Sequence, residues 1–300
     1  MCGATPVPKG AAQGETMSTH PSAAPAAPRG ATTTPELSHS ADCPAVLPLV
    51  PRVRLFGVAV DPLTMDQTVR AVHGFVRCGL PHQHVCLNAA KVVELDRSPE
   101  LADAISGCDL VNVDGQAVVW ASKVLRAEVP ERVAGVDLFE RLLAEAALHG
   151  LKVYLLGARQ QVVDAVRDRA LAEHPGLQVV GARSGFWTDE EEADVVADVA
   201  ASGADLLFLA IPSPRKELFL GEYGVALGVP FRMGVGGSFD VYAGETRRAP
   251  RWMQRTGMEW SYRLLQEPRR MFKRYLFGNS AFVLLTLRSL LSSRSDRATR

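Results

Sequence analysis

Residues 229–240 read Val-Pro-Phe-Arg-Met-Gly-Val-Gly-Gly-Ser-Phe-Asp. The largely apolar run 231–235 suits a buried strand. Glycines at Gly234, Gly236 and Gly237 would let the backbone at its end approach a ligand closely. A tight turn is the alternative, although such a turn needs only one or two glycines. The stretch therefore predicts the last strand of a sheet whose end faces a ligand.

Upstream of this stretch, short apolar runs alternate with segments of helical periodicity. The alternation predicts an α/β fold with a Rossmann-like, mostly parallel sheet and helices on both of its faces. Ligands bind such sheets at the carboxyl ends of the strands, so residues that follow each apolar run are the first candidates for a site. The predicted strands lie at 53–60, 84–87, 109–113, 152–156, 177–181, 205–210 and 231–235.

Composition and charge divide the chain into three parts. Residues 1–50 are rich in Ala, Pro, Thr, Ser and Gly, and offer too little apolar surface to offset the entropy of ordering, so we predict a disordered leader. Residues 51–244 hold the predicted α/β core. Residues 245–300 carry thirteen Lys/Arg against four Asp/Glu, a net charge of +9, which leaves −9 on the other residues. A basic, helical C-terminal appendage is therefore predicted.

The basic end favours an anionic partner, and nucleic acid and anionic lipid both satisfy that criterion. Trp260, Tyr262 and Tyr275 lie among its charges, a combination that suits a membrane interface. The apolar stretch 280–291 is too short to span a bilayer and contains Arg288. Five cysteines without a Cys-x-x-Cys pair indicate reduced thiols and a cytoplasmic setting.

Polar residues at two strand ends could carry chemistry. Asp114 follows Leu110-Val-Asn-Val113, and a carboxylate there could take a proton from an attacking hydroxyl. The alternative is an Asp-Gly turn in which Asp114 caps the next helix. Asn88 follows the second strand and could hold a ligand or cap a helix. Cys86, on the same face, could be reactive or simply a small buried residue.

Phosphate recognition has weaker signals. Gly157 ends an apolar strand before a helix, which is typical of a phosphate-binding turn but also of ordinary strand-to-helix geometry. No Asp-x-Asp pair lies at a strand end to hold a divalent cation, so we predict no metal, and Arg, Lys and backbone N–H groups would neutralise a diphosphate. Arg263, Arg270 and Arg274 would share a face of a helix that Pro268 interrupts. They could grip phosphate or form a solvated basic face.

In their order and spacing, these motifs resemble the WecG/TagA/CpsF glycosyltransferase family over about residues 53–280. The matching stretches are Leu87-Asn-Ala89, Asn112-Val-Asp-Gly-Gln-Ala-Val-Val119, Arg132-Val-Ala-Gly-Val-Asp-Leu138, Val153-Tyr-Leu-Leu-Gly157, Pro212-Ser-Pro-Arg-Lys-Glu217, the 234–240 loop with Ala243-Gly244, Arg248-Ala-Pro250, Gly257-Met-Glu-Trp-Ser-Tyr-Arg-Leu264, Glu267-Pro-Arg-Arg270 and Arg274-Tyr275.

The resemblance implies a metal-independent, inverting enzyme that uses no cofactor. It would move a sugar, often N-acetylmannosamine or its uronic acid, from a UDP-sugar to a polyprenyl-diphosphate-linked sugar. The implied products feed teichoic acid, enterobacterial common antigen or exopolysaccharide assembly. The implied partners are the donor, the lipid-linked acceptor, the inner face of the cytoplasmic membrane, where the protein would be peripheral, and further copies in a homo-oligomer, but no nucleic acid.

The resemblance also assigns roles to residues of this chain. Asp114 would be the base, and Arg263, Arg270 and Arg274 would bind the lipid diphosphate. The implied substrate-binding residues are Asn88, Cys86, Gly115, Arg132, Asp137, Gly157, Lys216, Glu217, Gly236 and Gly237. Cys86 stands where members often have Thr. In the 212–217 loop, Lys216 stands where members usually have Gln, and Pro212 stands where they usually have Gly. Because these departures lie where donor or diphosphate should bind, the donor sugar is left open.

Two other functions fit parts of the pattern. A nucleotide-dependent oxidoreductase could use a similar fold, but its usual Gly-x-Gly-x-x-Gly turn is missing from the sequence. A non-enzymatic scaffold could bind nucleic acid or anionic lipid through the basic end. The scaffold hypothesis gives no reason for the loop that holds Asp114.

Overall fold

The computed structural model describes residues 50–266 and 278–291. Its strands are β1 Val53–Leu55, β2 Val58–Val60, β3 His82–Leu87, β4 Leu110–Val113, β5 Lys152–Gly157, β6 Gln178–Arg183, β7 Leu206–Ala210 and β8 Phe231–Gly234. Six of them form one sheet in the order β4-β3-β8-β7-β5-β6, and every neighbouring pair in it is parallel. The predicted α/β class is confirmed.

The prediction of a single strand over 53–60 is wrong. β1 and β2 are separate strands that pair antiparallel, with Val53 opposite Val60. Phe56 and Gly57 between them have positive φ values of 51° and 84°. Backbone angles of this kind reverse the chain in a short hairpin. Because the residues on both sides of the turn are apolar, hydrophobic periodicity does not reveal the reversal.

Helices connect the strands and begin at recognisable caps. At α1, Thr64 Oγ1 accepts from Gln67 N–H at 3.3 Å while Gln67 Oε1 accepts from Thr64 N–H at 2.8 Å, which forms a capping box. Residues 278–291 are also helical. The other helices are α1 Met65–Cys78, α2 Ala89–Leu95, α3 Pro99–Ser106, α4 Gln116–Val124, α5 Gly135–His149, α6 Gln160–Glu173, α7 Glu192–Ala201, α8 Arg215–Glu222, α9 Ser238–Tyr242, α10 Arg251–Arg255 and α11 Glu259–Gln266.

Alternate residues of the strands pack against helices on opposite faces of the sheet. Leu155 and Phe208 pack with α1, α5, α6 and α9, whereas Leu156 and Leu207 pack with α7 and α8. Phe139 of α5 is fully buried, with its ring centroid 4.8 Å from that of Phe208. Full burial of such a side chain contributes about 1.5–3 kcal/mol. The strands are therefore held in place with their carboxyl ends along one edge.

Beyond Gly244, the described residues include α10, α11 and the helix over 278–291, and they contact the α/β core. A Cβ at Gly257 would lie 3.0 Å from the Trp120 ring of α4. Phe282 is buried, with its ring centroid 5.5 Å from that of Phe56 in the β1–β2 turn. The predicted boundary at 244 and the predicted membrane association stay predictions. The predicted leader lies outside the described residues, apart from its last residue.

Hydropathy and cysteine bonding bear on the expected location. Within 50–266 and 278–291, no helix combines the length and apolar character needed to cross a membrane. Cys86 and Cys108 are buried free thiols. For the other cysteines, the expectation of reduced thiols stays a prediction. The cytoplasmic setting stays a prediction.

Candidate active site

The carboxyl edge of the sheet gathers most of the residues that the sequence predicted. Asn88 follows β3 directly, and Asp114 follows β4. Lys216 and Glu217 lie in the first turn of α8, just after β7, and Gly236 follows β8. Since β4, β3, β8 and β7 are consecutive in the sheet, these residues occupy one continuous part of the edge.

Asp114 is half-buried and does not cap α4. Gly115 is the N-cap residue of α4, with a φ of 106°, and no side-chain hydrogen bond caps that helix in the described structure. A φ in this range favours glycine. Asp114 Oδ2 instead accepts from the N–H of Gly135, the first residue of α5, at 3.5 Å. The capping alternative is therefore wrong, and the carboxylate lies between β4 and the N-terminus of α5.

Asn88 and Cys86, near the carboxyl end of β3, have different surroundings. Asn88 Oδ1 accepts from Lys91 N–H at 3.0 Å and caps α2, which confirms the capping interpretation. Cys86 is buried, with its Sγ 3.9 Å from Val133 O. Burial, and then the charge of Asp114, raise the pKa of Cys86 to about 12, although Lys91 and Lys216 act to lower it. The thiol is neutral at physiological pH, so Cys86 is a small buried residue rather than a nucleophile.

Lys91, Lys216 and Glu217 form a buried charge cluster beneath the edge. Lys91 Nζ lies 2.7 Å and Lys216 Nζ 3.0 Å from Glu217 Oε1. Lys91 Nζ also donates to Cys86 O at 2.9 Å. The exposed fractions of the three residues are 6%, 7% and 2%. Two cations therefore share one anion and leave one positive charge in excess.

Burial and mutual attraction shift the pKa values in this cluster. Burial, followed by the charge of Lys91, lowers the pKa of Lys216, and Glu217 opposes that change. Burial acts to raise the pKa of Glu217, but the two ammonium groups outweigh it and the pKa is lowered overall. Glu217 is thus ionised at neutral pH. The excess positive charge is a ready counter-charge for a phosphate or carboxylate.

Sequence reasoning missed Lys91. Its motif neighbours Leu87-Asn-Ala89 are at the end of β3, but Lys91 itself lies in the helix that follows. Its partner Glu217 is far away in sequence, so no spacing rule joins the two. The local sequence offers one sign, a lysine directly before Val92 and Val93. The structure buries all three residues, so the ammonium group needs a partner.

The glycines of the 234–237 loop have separate structural reasons. A Cβ at Gly234 would be 2.9 Å from Lys216 Cδ, so this glycine leaves room for the lysine stem. Gly236 has a φ of 52°, and a Cβ there would be 3.9 Å from Lys216 Nζ. Gly237 is the N-cap residue of α9. The loop therefore lies directly against the end of Lys216, as expected for a ligand-side loop.

Gly157 has a packing role. Its φ is 136°, and a Cβ would lie 2.5 Å from the backbone N and O of Ala210 in β7. This close approach accounts for the glycine without any ligand. Gly157 is the last residue of β5, which β7 separates from β8. Phosphate binding by this turn stays a prediction.

A second ionic group lies at the start of α5. Arg132 Nη1 is 3.0 Å from Glu259 Oε2 of α11, and Arg132 Nη2 is 3.6 Å from Asp137 Oδ2. Arg248 also forms an ion pair with Asp137. Nε and Nη2 of Arg248 are buried and have no hydrogen-bond partner within the described ranges. The sequence pointed to Arg132 and Asp137 but not to Arg248, although Arg248 lies in one of the quoted motifs.

The three arginines proposed for the lipid diphosphate are not placed by the structure. Arg263 lies in α11, whose backbone is described, but its side chain is not. Arg270 and Arg274 lie outside the described residues. A diphosphate site made by these three residues stays a prediction.

The arrangement as a whole suits the transfer of a group with an anionic leaving group. A half-buried carboxylate can accept a proton, and nearby buried cations can stabilise negative charge that develops on a departing oxygen. The family model described as "Glycosyl transferase WecG/TagA/CpsF family" matches residues 53–296. That match includes Asp114, the buried charge cluster, the glycine loop and Arg248. Because it spans well over half of the 300 residues, the chain belongs to the WecG/TagA/CpsF family of glycosyl transferases.

Proposed function

We propose that this protein transfers a sugar from a UDP-sugar to a polyprenyl-diphosphate-linked sugar during synthesis of a cell-surface polysaccharide. The single observation that carries this proposal is Asp114. Its carboxylate ends β4, does not cap α4, and lies at the same edge as the buried charge cluster. The family match supports glycosyl transfer, and the choice of donor and acceptor classes rests on the family resemblance.

In the proposed step, Asp114 takes the proton of an acceptor hydroxyl. The hydroxyl oxygen forms a bond to the anomeric carbon of the donor as the bond from that carbon to the UDP phosphate oxygen breaks. A single displacement inverts the configuration at the anomeric carbon. UDP leaves as an anion, and the proton stays on Asp114 until solvent removes it. General-base assistance of this kind contributes roughly 10²–10⁴-fold to a rate.

The leaving diphosphate needs positive charge, and we assign that role to two groups. The ammonium group of Lys216, part of the buried cluster with its excess positive charge, lies beside the Gly236 loop. Arg248 offers two buried N–H-bearing atoms without partners in the described structure. Protein cations fixed in a partly dry site stabilise developing negative charge more than water does. The proposed mechanism is therefore metal-independent at the transfer step.

The acceptor would approach from a membrane surface. Residues 245–300 carry the net charge of +9. Exposed apolar side chains lie in this region, among them Trp252, Leu265 and Leu284. Cations with exposed apolar residues suit the surface of an anionic bilayer. A peripheral location on the inner face of the cell membrane follows from this proposal.

The proposal is tested by measuring UDP release from a panel of UDP-hexoses. The acceptor is a short-chain polyprenyl-diphosphate-linked N-acetylglucosamine, and a second series omits it. We expect release from at least one donor that depends on the acceptor and persists when divalent cations are chelated. If no donor in the panel gives acceptor-dependent UDP release, the proposed reaction is wrong.

A further inference from the structure

A second group of ligand-type side chains lies away from the candidate active site. His73 belongs to α1, and Glu145 and His149 belong to α5. Glu145 and His149 are four residues apart, so they share one face of the helix. α5 ends at His149 and the chain enters β5 at Lys152. The group therefore lies toward the amino-terminal edge of the sheet, opposite the edge that holds Asp114.

The distances in this group match those between ligands of one small cation. His73 Nε2 lies 3.2 Å and His149 Nε2 3.4 Å from Glu145 Oε2. One ligand atom from each residue lies within 4.8 Å of the others. Tetrahedral zinc with bonds of about 2.0–2.2 Å places its ligand atoms about 3.3 Å apart. The two His–Glu distances already match this spacing, and a movement of the imidazole nitrogens toward each other would bring all three atoms onto one ion.

The two carboxylate oxygens of Glu145 have different neighbours. Arg141 Nε already lies 3.0 Å from Glu145 Oε1, and Arg141 is 3.9 Å from Asp66. The rings of His73 and His149 meet edge to face beside Oε2, with centroids 4.7 Å apart. Both imidazole nitrogens and Oε2 can therefore bind one cation, while Arg141 orients the other carboxylate oxygen.

We propose that His73, Glu145 and His149 bind one Zn²⁺, with the fourth position open to water, and that the ion links α1 to α5. Two imidazoles and one carboxylate favour zinc over Mg²⁺ or Ca²⁺, which prefer oxygen ligands. His149 is the last residue of α5, where the helix dipole favours a positive charge. Sequence spacing does not reveal the site because His73 and Glu145 are 72 residues apart.

The test is a zinc titration of the full chain against a chromophoric chelator, with Co²⁺ absorption as a second readout. Variants are His73→Ala, His149→Ala and Glu145→Gln, and His174→Ala is the matched control. We expect the wild type and the control to bind one Zn²⁺ per chain at this site. Each ligand variant should bind it at least about 10-fold more weakly, because even an outer-shell change costs 10–100-fold. Four-coordinate Co²⁺ absorption bands should disappear with the ligand variants.

The thermal midpoint separates binding from misfolding. His149 is half exposed, with 50% of its side chain accessible, so we expect the fold to tolerate its replacement by alanine. Zinc should raise the Tm of the wild type and of His174→Ala but not of His149→Ala. Acceptor-dependent UDP release should be unchanged in His149→Ala. Equal zinc affinity in the wild type and the ligand variants would overturn the proposal, as would a Co²⁺ spectrum that none of the three substitutions alters.

Discussion

Lys216 is the residue through which the glycine loop and the buried charge cluster meet. Its stem passes Gly234, and its Nζ reaches both Glu217 and the neighbourhood of Gly236. Burial of two cations against one anion is costly unless the geometry is held firmly. At this point the cost is offset if an anionic ligand completes the charge balance. Both the loop and the cluster then serve one site.

Replacing Gly234 by alanine should displace Lys216. The new Cβ would be 2.9 Å from Lys216 Cδ, which is closer than real Cβ contacts, and 3.0 Å from Cε, which is tight. Overpacking of this kind costs about 1–3 kcal/mol of stability. We expect urea unfolding to show that loss and the KM for the donor to rise. Gly107→Ala, where a Cβ meets its first neighbour at 3.6 Å, is the control, and equal effects of the two substitutions would contradict this account.

Glu217→Gln should destabilise the protein at neutral pH and change its acid sensitivity. Removing the single anion leaves two buried ammonium groups unpaired, which costs about 3–5 kcal/mol. The pKa of Glu217 lies below its ordinary value of 4.5. The stability that its ionisation gives is therefore fully present above about pH 4.5 and is lost as the pH falls through the lower folded-state pKa.

Urea unfolding at pH 7 and in acid measures both effects. The free energy of unfolding of the wild type should fall in acid. That of Glu217→Gln should already be low at pH 7 and should fall less. Glu222→Gln, an exposed position of the same helix, should behave like the wild type. A difference between wild type and Glu217→Gln that stays the same on acidification would argue against the ionised cluster.

Sequence patterns located the strand-end residues but not their side-chain partners. Asp114 and Asn88 were found because both follow apolar runs, yet the pattern left each between a cap and a ligand. The structure separates them, since Asn88 caps α2 and Asp114 does not cap α4. Lys91 was missed because its partner Glu217 comes from a distant strand-loop unit. Pairings of that kind depend on strand order.

At the scale of elements, α5 runs from the carboxyl edge of the sheet to its amino-terminal edge. Its first residue, Gly135, donates to Asp114, and Asp137 in its first turn joins Arg132 and Arg248. Its last turn carries Glu145 and His149. Fully buried residues between these ends, such as Phe139, hold the helix against the sheet. The buried packing of α5 thereby helps to position the Asp114 carboxylate.

The helix over 278–291 should contribute to global stability. Phe282 is 6% exposed and belongs to the cluster around the β1–β2 hairpin, whereas Leu284 on the same helix is 67% exposed. Phe282→Ala should cost about 3–5 kcal/mol, as for other buried aromatic residues. Leu284→Ala should change stability by less than about 0.5 kcal/mol. If both substitutions leave urea unfolding unchanged, this helix is not part of the folded unit.

Sequence periodicity predicted which segments are strands or helices better than it predicted how the strands are arranged in the sheet. The predicted strands other than 53–60 overlap β3 to β8, most clearly where a buried parallel strand is a continuous apolar run, as in β7. The hairpin was missed because Phe56-Gly57 lies between apolar residues, Leu55 before the turn and Val58 after it. The order β4-β3-β8-β7-β5-β6 was not predicted, since periodicity says nothing about which strands are neighbours.

At the scale of the whole molecule, charge is divided along the chain. Residues 245–300 carry +9 and the preceding residues −9. Part of the basic segment contacts the α/β core, as the ion pair of Arg132 with Glu259 shows. An enzyme that meets a lipid-linked acceptor benefits from a basic surface beside its site. The same division would keep the acidic body away from an anionic bilayer.

Binding to lipid vesicles should depend on this uneven distribution of charge. We expect flotation with vesicles that contain anionic lipid, decreasing as salt rises because the charges are screened within about 8–10 Å at physiological ionic strength. Leu287→Ser, at an exposed position of the 278–291 helix, should weaken flotation. Val225→Ser, at an exposed surface position of the α/β domain, should not. Binding to neutral and anionic vesicles that is equally strong, or absent from both, would contradict the proposed surface.

The central claim is that Asp114 is the base, and turnover of Asp114→Asn tests it most directly. The variant keeps the size of the side chain but cannot take a proton, and Asp103→Asn at an exposed position of α3 is the matched control. With Tm values close to that of the wild type, we predict that acceptor-dependent UDP release falls by about 10²–10⁴-fold in Asp114→Asn alone. A folded Asp114→Asn enzyme with near wild-type turnover would contradict the account.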